Sequence, residues 1–316
     1  MSFSSEVKNE LSRIIEEKNC CQIAELAAII RLSGIININA KQGLSFKINT
    51  ENPATARKIF SLLKTLFEVH ADILVKKNNI LKKNNVYCIV VTSEMNSSEI
   101  LKKVGILKEL QDGSIGFNNK INGDLIKRSC CKKAFLRGAF LAAGSISNPE
   151  KTYHLEFVSN NQELAEEIMK LLNSFDLGAK IILRKNNYVV YIKEGDKIID
   201  LLNIIGAHNA LLQLENVRIY KEMRNNVNRL VNCETANLNK TVNAAVRQIE
   251  SIKLIQEKIG LKKLPPNLRE IAELRLKYPD ISLKELGQML NPPLGKSGVN
   301  HRLRKIEKIA EELKDE

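Results

Sequence analysis

The residue types best suited to chemistry lie in one basic stretch near the end of the chain. From Lys296 to Lys305 every charged side chain is basic. Arginine and asparagine can form paired hydrogen bonds with base edges in the DNA major groove, whereas lysine and serine contact phosphates. The stretch therefore predicts a DNA-reading surface, with base contacts at Asn300, His301, Arg302 and Arg304 and phosphate contacts at Lys296, Ser297 and Lys305. The predicted DNA-binding set also includes Ser282, Lys284 and Lys308.

Three short helices must position this stretch. Pro265-Pro266 starts a helix to about Lys277, and Ser282 with Glu285 forms a capping box that starts a second helix. The chain must turn between residues 291 and 295, after which Ser297 is predicted to cap a third helix. The buried stripe of that helix is Val299, Leu303, Ile306 and Ile309 or Ala310. A tight break before the third helix is typical of a helix-turn-helix. The alternative is a three-helix bundle whose last helix has only a solvated charged face.

The distribution of charge favours the first interpretation. The formal net charge of the chain is +13, which suits an anionic partner such as nucleic acid but also fits a lysine-rich solvated surface. Residues 218–316 carry 20 Lys and Arg against 13 Asp and Glu, so more than half of the net charge lies in under a third of the chain. Double-stranded DNA is therefore the predicted partner.

The cysteines and the N-terminus argue against several other protein classes. Six cysteines fall as two adjacent pairs, Cys20-Cys21 and Cys130-Cys131, plus Cys88 and Cys233, without the CxxC spacing of common metal sites. This pattern predicts reduced, mostly buried thiols, no metal and no cofactor, in a cytoplasmic protein. Because DNA is the predicted partner, we expect that protein to be nucleoid-associated. The polar N-terminus lacks the apolar core of a secretion signal, and no apolar run reaches the ~20 residues of a membrane helix. We therefore expect no membrane partner.

One stretch of the chain occurs twice. Residues 21–36 align with residues 131–146 at a constant offset of 110, which superposes Gly34 on Gly144 and the small residue Ala28 on Gly138. Small residues on an apolar helix let two helix backbones approach closely. The repeat predicts two halves packed about a pseudo-twofold axis, motif helix against motif helix, and a monomer whose symmetry is internal.

The elements around the repeat follow one order in both halves, α-β-β-α-β-β-α. The predicted fold class is α+β, with eight strands in two antiparallel sheets and helices on one side, followed by an all-α helix-turn-helix domain. The predicted domains are residues 1–112 and 113–215 for the two halves, 216–260 for a helical connector and 261–316 for the helix-turn-helix. Asparagine-rich residues 225–228 and 237–239 are predicted as breaks in the connector. The predicted helices span residues 3–18, 21–33, 52–69, 97–110, 162–175 and 196–205. Seven of the eight predicted strands have assigned bounds, at residues 35–39, 44–49, 71–76, 86–92, 153–159, 180–184 and 188–193.

The run from Leu136 to Gly144 resembles the LAGLIDADG motif of homing endonucleases. In that family two such helices pack at the centre of a pseudo-dimer, two saddle-shaped sheets straddle DNA, and an acidic eighth residue in each motif binds the divalent metal. Here the eighth positions are Ala143 and Ser33, and the sixth positions, Leu141 and Arg31, are not acidic either. The resemblance therefore implies the architecture without its metal site. We therefore expect that the protein has no catalytic residue and is not an enzyme. A metal-dependent homing-type endonuclease is the less favoured alternative.

The whole chain resembles the WhiA family of bacterial regulators. The resemblance is carried by residues 137–145, 149–157, 232–237 and 296–305, of which the last two runs are the most specific. It implies a DNA-binding transcriptional regulator acting in cell division, chromosome segregation and, where the host forms spores, sporulation. The terminal module of that family is similar to the DNA-binding region of sigma factors.

Three other interpretations concern a protein partner, catalysis and a polar surface. The duplicated domain could serve as an adaptor that binds a protein, with RNA polymerase or another transcription factor as the candidate partner. Cys233 beside Glu234 suggests a catalytic thiol, but no histidine lies near it in sequence, and a helix break is the favoured account. His154 and Glu156 share one face of a predicted strand, for which an ordinary solvated face is favoured over a polar patch on the saddle.

Overall fold

The computed structural model describes residues 2–39, 43–77, 85–109 and 115–314. It divides into two compact units, Met1–Tyr220 and Lys221–Glu316. The sequence also predicts turns at residues 41–43 and 76–85, between neighbouring strands. Residues 41–42 and 78–84 of these turns lie outside the described residues, as does residue 110 at the end of one predicted helix.

The first unit contains the two predicted halves in sequence. The first half consists of α1 (Phe3–Ser12), α2 (Asn19–Ser33), β1 (Gly34–Asn39), β2 (Gly43–Thr50), α3 (Pro53–Phe67), β3 (Asp72–Lys77), β4 (Asn85–Val91), α4 (Ser97–Lys103), β5 (Leu107–Glu109) and β6 (Ile115–Phe117). The second half consists of α5 (Ser129–Ala143), β7 (Gly144–Ile146), β8 (Leu155–Ser159), α6 (Gln162–Asn173), β9 (Lys180–Arg184), β10 (Asn187–Ile192) and α7 (Gly195–Ile205). After α8 (His208–Lys258), the chain continues with α9 (Pro266–Lys277), α10 (Leu283–Gln288) and α11 (Lys296–Lys314).

Two four-stranded sheets repeat the same topology. Their strand orders are β1-β2-β4-β3 and β7-β8-β10-β9, and every pair of neighbours is antiparallel. In each half the second strand of the sheet therefore lies beside the fourth, as β2 does beside β4 and β8 beside β10. A duplicated domain requires this shared order. The predicted pair of antiparallel sheets and the α+β class are confirmed.

Alternation along the strands places the core on one face of each sheet. In the first sheet Phe46 pairs with Val91 and Ile48 with Ile89, and all four side chains are buried. Leu155 and Phe157 hold the corresponding positions in the second sheet. Because successive strand residues point to opposite faces, one face of each sheet joins the core and the other is left outward. The helices cover the core face, as predicted.

The repeated helices α2 and α5 pack against each other at the centre of this unit. A Cβ added at Gly138 would overlap the backbone oxygen of Glu25 and lie 3.1 Å from the Ala28 Cβ. The close approach of the two backbones therefore depends on a glycine at residue 138. The predicted contact of motif helix with motif helix is confirmed.

Replacing Gly138 by alanine is expected to destabilise the first unit by about 1–3 kcal/mol, because the added methyl group must push two buried helices apart. Urea unfolding followed by circular dichroism measures the change in the free energy of unfolding. Gly123→Ala is the matched control, since no described atom lies within 4 Å of a Cβ built there. Equal stability of the Gly138→Ala variant and the unmodified chain would contradict the tight packing.

Helix α1 starts at the predicted residue but ends earlier than predicted. Ser2 caps α1 by accepting a hydrogen bond from the Ser5 amide. The predicted continuation of α1 to residue 18 is wrong: the helix ends at Ser12, and Ile15 is 88% exposed. The chain after it is held by tertiary contacts, because the Gln22 side chain donates to the Glu16 carbonyl oxygen at 2.6 Å.

The helix predicted over residues 97–110 is wrong beyond Lys103. Gly105 takes a positive φ of 70°, and the Ile106 amide donates back to the Leu101 carbonyl oxygen at 2.9 Å, which ends the helix. Leu107 then pairs with Phe117 in a two-stranded ribbon that was not predicted. A glycine free to adopt the left-handed region outweighs the helical spacing of the residues around it.

The predicted breaks in the connector are also wrong, because α8 is one helix from His208 to Lys258. Asparagine costs only a few tenths of a kcal/mol more than an average residue in a helix interior, so a short cluster weakens a helix without ending it. Cys233 therefore lies on a helix and not at a break. It is exposed, and its sulphur accepts from the Asn237 side chain at 3.8 Å.

The second unit has its own small core. Helices α9, α10 and α11 pack around Ile271, Leu286 and Leu303, together with Ile252 and Ile255 at the end of α8. On α11 the buried residues are Val299, Leu303, Ile306 and Ala310, which confirms the predicted stripe.

Candidate nucleic-acid interface

A glycine fixes the approach of the last two helices in the second unit. A Cβ added at Gly287, in α10, would overlap the Leu294 carbonyl oxygen and lie 2.9 Å from the Val299 side chain. The Leu294 amide also donates to the Gly287 carbonyl oxygen at 2.9 Å. The turn between α10 and α11 is therefore tight, as a helix-turn-helix requires.

The start of α10 is fixed by two sets of hydrogen bonds. The predicted capping box is present: the Ser282 hydroxyl accepts from the Glu285 amide at 3.3 Å, and the Glu285 carboxylate accepts from the Ser282 amide at 2.9 Å. Ser282 hydrogen bonds lower the pKa of the exposed Glu285. In addition, the buried Arg275 donates to the Ile281 carbonyl oxygen at 2.8 Å and to the Gln248 side chain at 3.2 Å. Burial lowers the pKa of Arg275.

Arg275 was not among the predicted functional residues. Its long side chain ties α9 to the segment before α10 and so orients the helix that carries Lys284. The sequence signal is its spacing, four residues after Ile271 and three after Ala272, which places Arg275 on the buried stripe of α9. That signal shows burial of the position but not the partners that satisfy the guanidinium group.

The buried stripe of α11 determines which side chains face outward. Ser297, His301, Arg304, Lys305 and Lys308 are exposed, and their spacing places them on the face opposite Val299 and Leu303. Three of these five side chains are cationic at neutral pH. Lys308 lies 4.0 Å from the carboxylate of Glu312, which is an exposed pair of small energetic weight.

The remaining predicted contacts of α11 lie at its start or on its flanks. Lys296 is exposed at the first residue of the helix, so the helix begins one residue before the predicted cap and Ser297 lies inside its first turn. Asn300 is half-buried. Arg302 is half-buried too, and its guanidinium group donates to the Asn267 carbonyl oxygen at 3.3 Å. Arg302 thus contacts α9 in this structure, whereas Arg304 lies on the outward face.

The α10 residues of the predicted set differ in their availability. Lys284 is exposed. Ser282 is exposed too, but its hydroxyl and amide both belong to the capping box. Of these two residues, Lys284 therefore has the side chain better placed to contact a phosphate.

The C-terminal ends of the motif helices in the first unit carry no carboxylate. The Ser33 hydroxyl donates to the Ile29 carbonyl oxygen at 2.8 Å, and Ala143 has no polar atom. At the sixth position Arg31 donates to the carbonyl oxygens of Asn118 at 2.8 Å and Gly105 at 2.7 Å. Burial lowers the pKa of Arg31 to about 10. Arg31 is therefore a structural residue that holds the base of the β5–β6 ribbon.

The outward face of the second sheet carries a polar network. The His154 Nε2 lies 3.0 Å from the Glu156 carboxylate, which also accepts from the Ser145 hydroxyl at 3.4 Å. Arg184 lies 3.8 Å from the same carboxylate, and the Tyr191 ring stacks on His154. His154 precedes the strand that was predicted to contain it, but the two side chains do meet. The network leaves the carboxylate surrounded by donors, so it is a connected polar patch instead of separate solvated side chains.

Within the described ranges, the structure contains no helix with both the length and the apolar character needed to cross a membrane.

Family comparisons cover most of the chain. Residues 19–107 match the model of the WhiA N-terminal LAGLIDADG-like domain, residues 132–224 match the WhiA LAGLIDADG-like domain, and residues 227–310 match the WhiA C-terminal HTH domain. The three matches follow one another in the order in which the structure presents the two halves and the helix-turn-helix.

Individual relatives match from end to end. The chain is 62% identical over 314 residues to a probable cell division protein WhiA of Clostridium perfringens, with 99% of each chain covered. It is 58% identical over 311 residues to the protein of the same name from Alkaliphilus metalliredigens, with 98% of each covered.

Two solved structures share the fold. The crystal structure of full-length DUF199/WhiA from Thermatoga maritima is 30% identical, covers 99% of each chain and gives a TM-score of 0.60. The N-terminal LAGLIDADG domain of DUF199/WhiA is 25% identical and covers 65% of this chain and 90% of that one, with a TM-score of 0.51.

Proposed function

The chain belongs to the WhiA family, and we propose that it is a sequence-specific, double-stranded-DNA-binding transcriptional regulator of cell division. The observation that carries this proposal is the outward face of α11, where Ser297, His301, Arg304, Lys305 and Lys308 project from a helix held in a tight helix-turn-helix. Chromosome segregation and, in a spore-forming host, sporulation are the further processes that this regulator would serve.

The exposure and spacing of the side chains on α11 support a separate role for each. Arg304 and His301 lie where a helix in the major groove meets base edges, while Lys296, Ser297 and Lys305 would contact phosphates. Asn300 and Arg302 would reach the edge of the same surface. Arg302 must first release the Asn267 carbonyl oxygen, so its contribution to specific affinity should be smaller than that of Arg304.

The first unit serves this function as a structural platform. A homing-type nuclease needs carboxylate ligands for a hard divalent cation, and the two positions that would supply them are Ser33 and Ala143. We propose that the motif helices pack the two halves together and that the internal duplication allows the chain to act as a monomer. Contact with RNA polymerase or another transcription factor would then fall to the outer surfaces of this unit.

Replacing Arg304 by alanine is expected to reduce affinity for the selected target by about 1–3 kcal/mol, or roughly 5- to 150-fold, because a base-edge contact is lost. Affinity for random duplex should fall much less, so specificity relaxes. The target is first selected from a random duplex pool with the full chain, and affinities are then measured by fluorescence anisotropy at several salt concentrations.

Lys314→Ala is the control, because it removes the same charge from an exposed residue in the last turn of α11. It should weaken specific and random DNA alike, and only slightly. Equal losses in the two variants would refute the assigned face. Absence of DNA binding by the full chain would refute the regulator and favour an adaptor that binds a protein.

A further inference from the structure

Four thiols from distant parts of the sequence meet in the first unit. The sulphur atoms of Cys20, Cys21, Cys130 and Cys131 all lie within 4.8 Å of one another, and those of Cys130 and Cys131 are 4.0 Å apart. Cys21 and Cys131 are buried, while Cys20 and Cys130 are half-buried. The linear spacing of the cysteines predicts no metal site, but the packing of the duplicated helices creates a four-thiol cluster.

The duplication explains why the cluster is symmetric. The two pairs occupy the second and third residues of α2 and α5, and the close packing at Gly138 brings these helices together. Each half therefore contributes one adjacent pair of cysteines at the pseudo-twofold axis. The cluster lies at the N-terminal ends of the helices, roughly 18 Å along the helix from Ser33 and Ala143, so it is unrelated to the degenerate nuclease site.

The electrostatic surroundings favour an anionic group at this point. Two helix N-termini, each with a partial positive charge, converge on the cluster. Their N-cap residues are Lys18 and Arg128, and among the described residues neither helix has a side-chain cap. Two positive helix ends with cationic caps repel each other, and this repulsion would be offset by negative charge on the sulphur atoms.

Burial opposes negative charge on the two inner thiols. Burial raises the pKa of Cys131 to about 11 and also raises the pKa of Cys21 above its ordinary value. Hydrogen bonds from Cys21 and Cys131 lower the pKa of Cys130, to which Lys18 also contributes. Burial therefore disfavours bare thiolates at Cys21 and Cys131, and coordination to a cation would compensate their charge.

We propose that the four cysteines bind one Zn²⁺ ion, which clamps the two halves of the first unit together. Tetrahedral zinc with Zn–S bonds of about 2.3 Å needs sulphur atoms about 3.8 Å apart, close to the separation already present. On binding, four S–H bonds give way to four Zn–S bonds, four protons pass to solvent and no redox change occurs. The resulting centre carries two negative charges, which the helix N-termini and cationic caps stabilise. Four soft thiolates exclude Mg²⁺ and Ca²⁺ as the preferred ion.

The first test measures the metal directly. The full chain, purified under reducing conditions without chelator, should contain about one zinc per chain by elemental analysis. After removal of zinc, titration with Co²⁺ alone should give sulphur-to-cobalt charge-transfer absorption and intense tetrahedral d–d bands that saturate at one equivalent. Absence of both signals would overturn the proposal. Bound iron with the absorption spectrum of an iron–sulphur cluster would also overturn it. So would disulphides among the four cysteines, which lower the intact mass by two hydrogen atoms each.

Variants then locate the site. Cys20→Ser with Cys130→Ser should abolish the cobalt spectrum and lower zinc content at least tenfold. Cys88→Ser and Cys233→Ser are matched controls outside the cluster, and each should keep one equivalent of metal. A zinc content unchanged in the double variant would overturn the proposal. If the double variant does not fold, the cobalt spectrum of the unmodified chain still decides the outcome.

Discussion

Replacing Glu25 by alanine is expected to lower the free energy of unfolding of the first unit by about 3–5 kcal/mol. Glu25 is fully buried on α2, with its carboxylate 2.7 Å from the Lys58 ammonium and 3.3 Å from the Arg137 guanidinium group. Both cations are themselves about 5% exposed. Removal of the carboxylate would leave two buried positive charges with much less compensation.

The contacts around Glu25 join several helices of the first unit. Lys58 also donates to the carbonyl oxygens of Leu11 at 3.1 Å and Ile14 at 2.7 Å, and Arg137 also pairs with Glu16 and with the Ile205 carbonyl oxygen. Burial raises the pKa of Glu25, an effect that the two cations oppose. The ion cluster therefore links the segment after α1 to α3 and to both motif helices.

Glu25→Gln separates charge from shape in this experiment. Glutamine keeps the size of the side chain, so any loss it shares with alanine is due to the missing charge. Chemical unfolding measures both variants, with Glu167→Gln as the control because its partner Lys170 is an exposed residue 3.4 Å away. The control should cost less than about 1 kcal/mol. A similarly small cost for Glu25→Ala would mean that the buried cluster contributes little.

The main architecture follows from signals that are local in sequence. Alternation at Phe46 and Ile48, the Asn52-Pro53 start of α3 and the Ser282 capping box each specify an element without reference to the rest of the chain. The repeat at an offset of 110 residues then fixes how the elements pair. Local signals predicted the strands and the buried stripe of α11, and the repeat predicted the motif-helix contact.

The features that were missed depend on residues distant in sequence. Glu25 on an apolar helix gives no sign of Lys58 or Arg137, and Arg275 gives no sign of Gln248. The chain after α1 is likewise held by contacts with Gln22 and Arg137. Helical periodicity alone therefore places the end of α1 too late in the sequence. Such partners become visible only when the packing is known.

The four-cysteine cluster could have been predicted from the sequence, but only by combining two separate observations. The repeat superposes Cys20-Cys21 on Cys130-Cys131, and small residues predict that the two helices touch. Combined, these two facts place all four thiols at one end of a helix pair. A search for CxxC spacing misses the cluster because its ligands come from two segments that only the duplication relates.

Replacing Leu303 by alanine is expected to abolish specific DNA binding, a larger effect than that of Arg304→Ala. Leu303 is 1% exposed in the small core of the second unit, and such a truncation costs about 2–5 kcal/mol. A small unit has little stability to lose. Unfolding of α11 would remove every proposed contact together, whereas loss of Arg304 removes one.

The same variant tests whether recognition resides in the second unit, since the cores of the two units are separate clusters. Hydrogen exchange followed by mass spectrometry should show lost protection in α9 to α11, while the strands of the first unit keep theirs. Leu303→Met conserves volume, should cost less than about 1.5 kcal/mol and should retain binding. The Leu303→Ala chain could instead bind the target with the affinity of the unmodified chain although α9 to α11 have lost their protection. That result would place recognition in the first unit. The outward faces of its two sheets, including the His154–Glu156 patch, would then be the DNA-contacting surface.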